Sequence, residues 1–236
     1  MAIAFGAAGT PANADNAAVT PTLPGGMPNG AILCVFAGMR TTAATLSISA
    51  GYTEQLNHLN SSGNPGRFAL WWRVVDGTET NPTVTPSGGC AGDVLIVDTF
   101  SFTGVDAATP WAEQGTVFNG ATNTANIGAI TGITIASGNA ALVLGFRSDD
   151  WTSVSTLTAD SPLTYAEITE ADTTTGNDAG IVADYAVNGG GSAHTAANRT
   201  FTVTGGSGFG LGVFLELAAS AATAAPPARI LVGVGT

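Results

Sequence analysis

Along this chain apolar and polar residues alternate in short runs, and clusters of Gly, Pro, Asn, Asp and Ser separate the runs. Alternation at a period of two marks a half-buried strand. Candidate strands fall at 31–38, 45–49, 52–58, 67–75, 82–85, 92–102, 115–118, 126–135, 140–147, 153–158, 164–170, 180–187, 200–204 and 210–218. No sustained 3.6-residue apolar stripe with helix caps occurs. Many short strands joined by Gly-rich turns predict an all-β protein, a jelly-roll-like antiparallel β-sandwich.

The pattern repeats once. "NGAILCVFAGMR" (29–40) aligns with "NAALVLGFR" (139–147), and "TLSISAGYTEQL" (45–56) with "STLTADSPLTYAEI" (155–168). The second match places Tyr52-x-Glu54 on Tyr165-x-Glu167. "FALWWRVVDG" (68–77) aligns with "GIVADYAVNG" (180–189), "PTVTPSGG" (82–89) with "FTVTGGSG" (201–208), and "DVLIVDTF" (93–100) with "FGLGVFLEL" (209–217). Two similar units, each burying an apolar face against the other, predict a sandwich of pseudo-repeats at about 29–102 and 139–217, with 103–136 as the crossover. Residues 1–20 read as an extended N-terminal segment and 21–218 as the sandwich. Residues 219–236 form an Ala/Pro-rich arm. In it Pro226-Pro227 favours an extended path toward an apolar tip, Ile230, Leu231 and Val232, expected to dock on a neighbouring subunit.

One strand concentrates aromatic and basic residues. In "RFALWWRVVDG" (67–77), alternation puts Phe68, Leu70, Trp72 and Val74 on a core face and Arg67, Ala69, Trp71, Arg73 and Val75 on the other. Trp71 and Arg73 are neighbours on that second face, where a guanidinium can lie on an indole. The face is either a contact surface, since Trp and Arg dominate hot spots, or an intramolecular stack under a loop. Arg67, Trp71 and Arg73 are therefore the partner-interface candidates, together with Ile230, Leu231 and Val232.

Composition narrows the function. Charged residues are 10% of the chain, against roughly 25% in ordinary domains. All six basic residues are arginine, and the net charge is −11. Such a chain lacks the basic stripe that nucleic acid or an anionic membrane requires. No apolar run is long enough to span a bilayer, and the N-terminus lacks the basic start of a leader. Cys34 and Cys90 stand in strand-like or Gly-rich contexts and read as free buried thiols.

Chemistry-bearing motifs are sparse. The two histidines, His58 and His194, sit in turn-like stretches with no nucleophile elbow. No His/Cys spacing suits zinc, and no Gly-rich loop precedes a helix. Two acidic groups, Asp149-Asp150 and Glu170/Asp172/Asn177/Asp178, match no EF-hand. The reading is no catalytic residue, no cofactor and no metal.

The order "MAIAFGAAGT", an apolar strand at 29–36, Gly51-Tyr52-Thr53, "RFALWWRVVDGTE", "PTVTPSG" and "TFSFTGVDAATP" resembles a group of β-sandwich virion proteins of tailed bacteriophages. Trp72, Arg73, Asp76 and Gly77, and Thr103 to Asp106 with Pro110, carry the likeness, which spans roughly 1–218. The resemblance implies a non-enzymatic virion protein, assembled in a host cytoplasm. It would be a capsid decoration protein contacting the major capsid protein and copies of itself, expected as a trimer. The alternatives are a tail-tip or minor tail protein, or a carbohydrate-binding module in which Trp111 and Trp151 stack on sugars.

Overall fold

The computed structural model describes residues 1–41, 43–60, 65–88, 92–120, 126–174, 178–206 and 208–221, and among these no helix forms. The first half supplies β1 (Ala4–Ala8), β2 (Ala12–Asp15), β3 (Ile32–Met39), β4 (Thr45–Ile48), β5 (Thr53–Asn60), β6 (Gly66–Val74), β7 (Val84–Ser87) and β8 (Val94–Thr103). The second half supplies β9 (Trp111–Gln114), β10 (Phe118–Asn119), β11 (Ile127–Ile130), β12 (Thr134–Ile135), β13 (Ala140–Arg147) and β14 (Ser153–Val154). It continues with β15 (Ala166–Thr173), β16 (Ala179–Val187), β17 (His194–Thr195), β18 (Arg199–Phe201), β19 (Val203–Thr204) and β20 (Gly210–Leu217).

The two halves build the same sheet. In the first, the order is β1-β8-β3-β6-β5, with β2 also on β8; in the second it is β10-β20-β13-β16-β15, with β9 also on β20. All the pairings are antiparallel. Each sheet draws its strands from one half of the chain, so strands do not alternate between sheets as in a jelly roll. Segment 103–136 is more than a crossover: its β9 and β10 flank β20 as β1 and β2 flank β8. Residues 1–20 are likewise part of a sheet.

The turn hydrogen bonds fix the correspondence between halves. Gly30 N–H donates to Val75 O and Val75 N–H to Ala31 O; Gly138 N–H donates to Asn188 O and Asn188 N–H to Asn139 O. With Ile32 opposite Val74 and Ala140 opposite Val187, Val74 matches Val187. Tyr52-x-Glu54 matches Tyr165-x-Glu167, as expected, and each is followed by a register shift at the same place, Glu54/Leu56 and Glu167/Thr169. The expected match of 68–77 to 180–189 is one residue out. Trp71 corresponds to Asp184 and Trp72 to Tyr185. In a strand, a one-residue slip exchanges the faces.

Equivalent faces of the sheets meet to form the main core. Ile32, Cys34, Phe36, Phe68, Phe100 and Phe102 pack there against Leu142, Leu144, Phe146, Ile181, Leu211 and Leu215. The outer faces are covered too. The β4–β7 pair and Val19 close over Val35, Met39, Trp71 and Val97. The small pairs β11–β18, β12–β17 and β14–β19 contribute to the cover over Val143, Val182 and Phe214. Both faces of the central strands are therefore dry, which is why β3, β13 and β20 are buried at every residue. Continuous apolar runs suit such strands better than strict alternation does.

Candidate functional site

The β13–β16 pairing brings together residues far apart in the chain. Arg147, the last residue of β13, lies opposite Gly180 near the start of β16. Asp149 and Asp150 just beyond β13 and Asp178 just before β16 therefore converge. One carboxylate oxygen from each lies within 4.8 Å of the other two, and each residue is half-buried. Of the second acidic group of the sequence, Asp178 joins the first here, Asp172 feels the Asp150 charge, Glu170 accepts the Val154 N–H, and Asn177 lies outside the described residues. Burial pushes the Asp178 carboxyl up, and the Asp150 and Asp149 charges push it further, against Arg40. Burial also raises Asp172, helped by Asp150.

Arg147 sits behind this cluster, 1% exposed, and its guanidinium makes no hydrogen bond. Burial lowers its pKa, and Asp149 and Asp150 oppose that shift. A calcium ion wants six to eight oxygens. Here three carboxylates lie beside a guanidinium that already supplies positive charge. The arrangement is an acidic cluster steadied by a buried cation. Trp151 leans over the same corner, 6% exposed, and a Cβ on Gly180 would meet its ring at 2.4 Å.

A second constellation occurs twice. Arg73 lies over the Tyr52 ring, 5.7 Å from its centre, and pairs with Glu79 at 3.3 Å and Asp76 at 3.4 Å. Arg199 lies over Tyr165 at 5.8 Å and pairs with Asp160 at 2.7 Å. The tyrosines occupy equivalent positions, while the arginines come from β6 and β18. Burial drives both phenols up to about 12, against the neighbouring guanidinium. Burial alone would raise the Asp160 carboxyl, but the Ala197 N–H, His194 and Arg199 hold it below its usual value.

These positions correct the reading of the tryptophan strand. Trp71 is 2% exposed, packed in the outer cluster with Met39, Leu46 and Val84, so it offers no face to a partner. Arg73 stacks on Tyr52 rather than on Trp71. Arg67 donates to Asn57 Oδ1. Trp71 and Val75 of that face are buried within the chain, and the expected Trp71–Arg73 stack does not form. Trp151 is equally closed to a sugar ring. Trp111 is half-buried against the main core. Ile230, Leu231 and Val232 lie outside the described residues, as does Cys90. Cys34 is a buried free thiol whose pKa burial raises.

Each histidine faces a side chain from elsewhere in the fold. His58 Nε2 lies 2.9 Å from Asn119 Oδ1, and His194 Nε2 lies 3.3 Å from Asp160 Oδ2. A cleft of about 340 Å³ opens where the ends of the described chain meet, lined by Met1, Ala2, Pro28, Ala31, Val105 and Ser220 among others. The Met1 ammonium donates to Ser220 O at 3.1 Å there.

Three buried carboxylates, Asp98, Asp184 and Glu216, escaped the sequence reading. Asp98 lies in the main core, where its carboxylate accepts from Thr99 N–H and the Thr169 hydroxyl. Asp184 is fully buried under the outer cover, where Oδ2 accepts the Leu157 N–H at 2.6 Å and Oδ1 has no partner. The available signal was an acid inside an apolar strand, "VLIVDTF" and "GIVADYAV".

No protein-family model, curated protein or solved structure matches this chain.

Proposed function

We propose that this chain is a non-enzymatic structural protein of a tailed-phage particle, a capsid decoration protein that contacts the major capsid protein and further copies of itself. One observation carries the reading: the following aromatic, arginine and histidine side chains are engaged inside the body. Arg73 and Arg199 cap tyrosines, Trp71 and Trp151 fill outer cores, and each histidine faces a side chain from another part of the fold. A duplicated body with both outer faces covered suits a rigid building block. Its weakly charged, hydroxyl-rich composition suits contact with neighbours rather than turnover. On this reading the arm expected at 219–236 makes assembly contacts through 222–236, since Ala219 and Ser220 pair with the body at Val105 and Gly104. Deleting it should lower incorporation into particles while the isolated body keeps its melting temperature. Unchanged incorporation would remove the segment from the account.

A further inference from the structure

We propose that strand β5 is an interface, pairing antiparallel with β5 of a second copy and joining two first-half sheets into one. The contrast between the two edge strands of this chain carries the inference. β5 and β15 hold the same place in their sheets, each an edge paired among the described residues only with β6 or β16 respectively. An edge strand presents unpaired backbone groups to any other strand, and proteins guard such edges with charges or cover them. β15 is guarded. It carries Glu167, Glu170 and Asp172, and the Val154 N–H of β14 donates to Glu170.

β5 is bonded to its cover in the same way, Asn57 Nδ2 donating to Leu46 O of β4, but it lacks the charges. The register places Asn57 where β15 has Glu170, and Leu59 where it has Asp172. Only Glu54, near the start of the strand, is retained. Lysine, a common edge guard, is absent from the whole chain. Leu59 is half-buried and belongs to none of the four apolar clusters. Two chains of net charge −11 repel over most of their surfaces. They meet with little repulsion along β5, where backbone pairing and a leucine are on offer. Such a self-complementary contact is two-fold and closes at a dimer, not at the trimer expected from resemblance.

The inference deepens the assembly reading and rests on it for its biological use. A dimer never found in particles would sink that reading and leave β5 intact; a monomer found in particles would do the reverse. The test is the solution mass of the full chain and of Leu59→Asp, which gives β5 the charge that β15 carries. We expect the unmodified chain at twice 23.3 kDa and the folded variant at 23.3 kDa. A monomeric unmodified chain, or a folded variant that stays dimeric, would overturn the proposal. If Leu59→Asp fails to fold, amide exchange of the unmodified chain decides: exchange across Thr53–Asn60 that slows with rising concentration supports the pairing, and exchange independent of concentration refutes it.

Discussion

Phe146 packs against Gly38, the residue that holds its own position in the other half of the chain. A Cβ built on Gly38 would come within 2.3 Å of the Phe146 ring. Equivalent faces of the two sheets meet here, so one large and one absent side chain share a space too small for two large ones. Gly66 opens the same space from β6, where a Cβ would lie 2.6 Å from that ring.

This pairing predicts a reciprocal rescue. Gly38→Ala overpacks the core and should cost about 1–3 kcal/mol. Phe146→Ala leaves a cavity and should cost about 3–5 kcal/mol. Exchanging the two residues, Gly38→Phe with Phe146→Gly, should recover most of the stability lost in Phe146→Gly alone. Chemical denaturation of the four variants checks this; a swap no more stable than Phe146→Gly alone would count against the face-to-face relation.

Asp184 makes stability depend on pH. Burial, with the Glu167 and Glu170 charges adding to it, raises its pKa to about 6, while the Leu157 N–H bond opposes. An unfolded Asp titrates near 3.9. The folded form therefore holds the proton more tightly, and that contribution is complete below pH ~4 and lost as pH rises through about 6. Its size is about 3 kcal/mol. Asp184→Asn should remove this slope, gaining on the unmodified chain between pH 4 and 7. Raised carboxyls at Asp98, Asp172 and Asp178 act in the same sense in both proteins, so the difference between the two melting curves is the readout. Parallel curves would mean that Asp184 ionises freely.

Arg73 and Glu79 should be coupled. The Glu79 side chain is 4% exposed, and its other contacts are the Asp76 and Gly77 N–H groups. Arg73→Met leaves a nearly buried carboxylate with reduced compensation and should cost about 2 kcal/mol. Adding Glu79→Gln should return part of that loss, giving a non-zero interaction energy in a double-mutant cycle. Additive costs would show that Arg73 and Glu79 are not coupled.

Much of the fold is legible in the sequence because its strands keep their period. The Tyr-x-Glu repeat survives into three dimensions with its register shift intact. The 68–77 match slips because the Asp-Gly and Asn-Gly turns look equivalent and are not. Asn188 stands where Val75 does, and its buried side chain donates to Ile135, Ala136 and Ser192 carbonyls. Alternation showed that Trp71 faces away from Phe68. It could not show that Val19, Leu46 and Val84, remote in the chain, close over it. The acidic corner was hidden for the same reason: only the β13–β16 pairing joins Asp149 to Asp178.

Particles purified from cells that carry the coding sequence, imaged by electron microscopy and weighed by quantitative mass spectrometry, put the central claim to its most direct trial. The account predicts this chain in many copies per particle, as density of two stacked sheets on the shell. Particles that are complete without it would contradict the account.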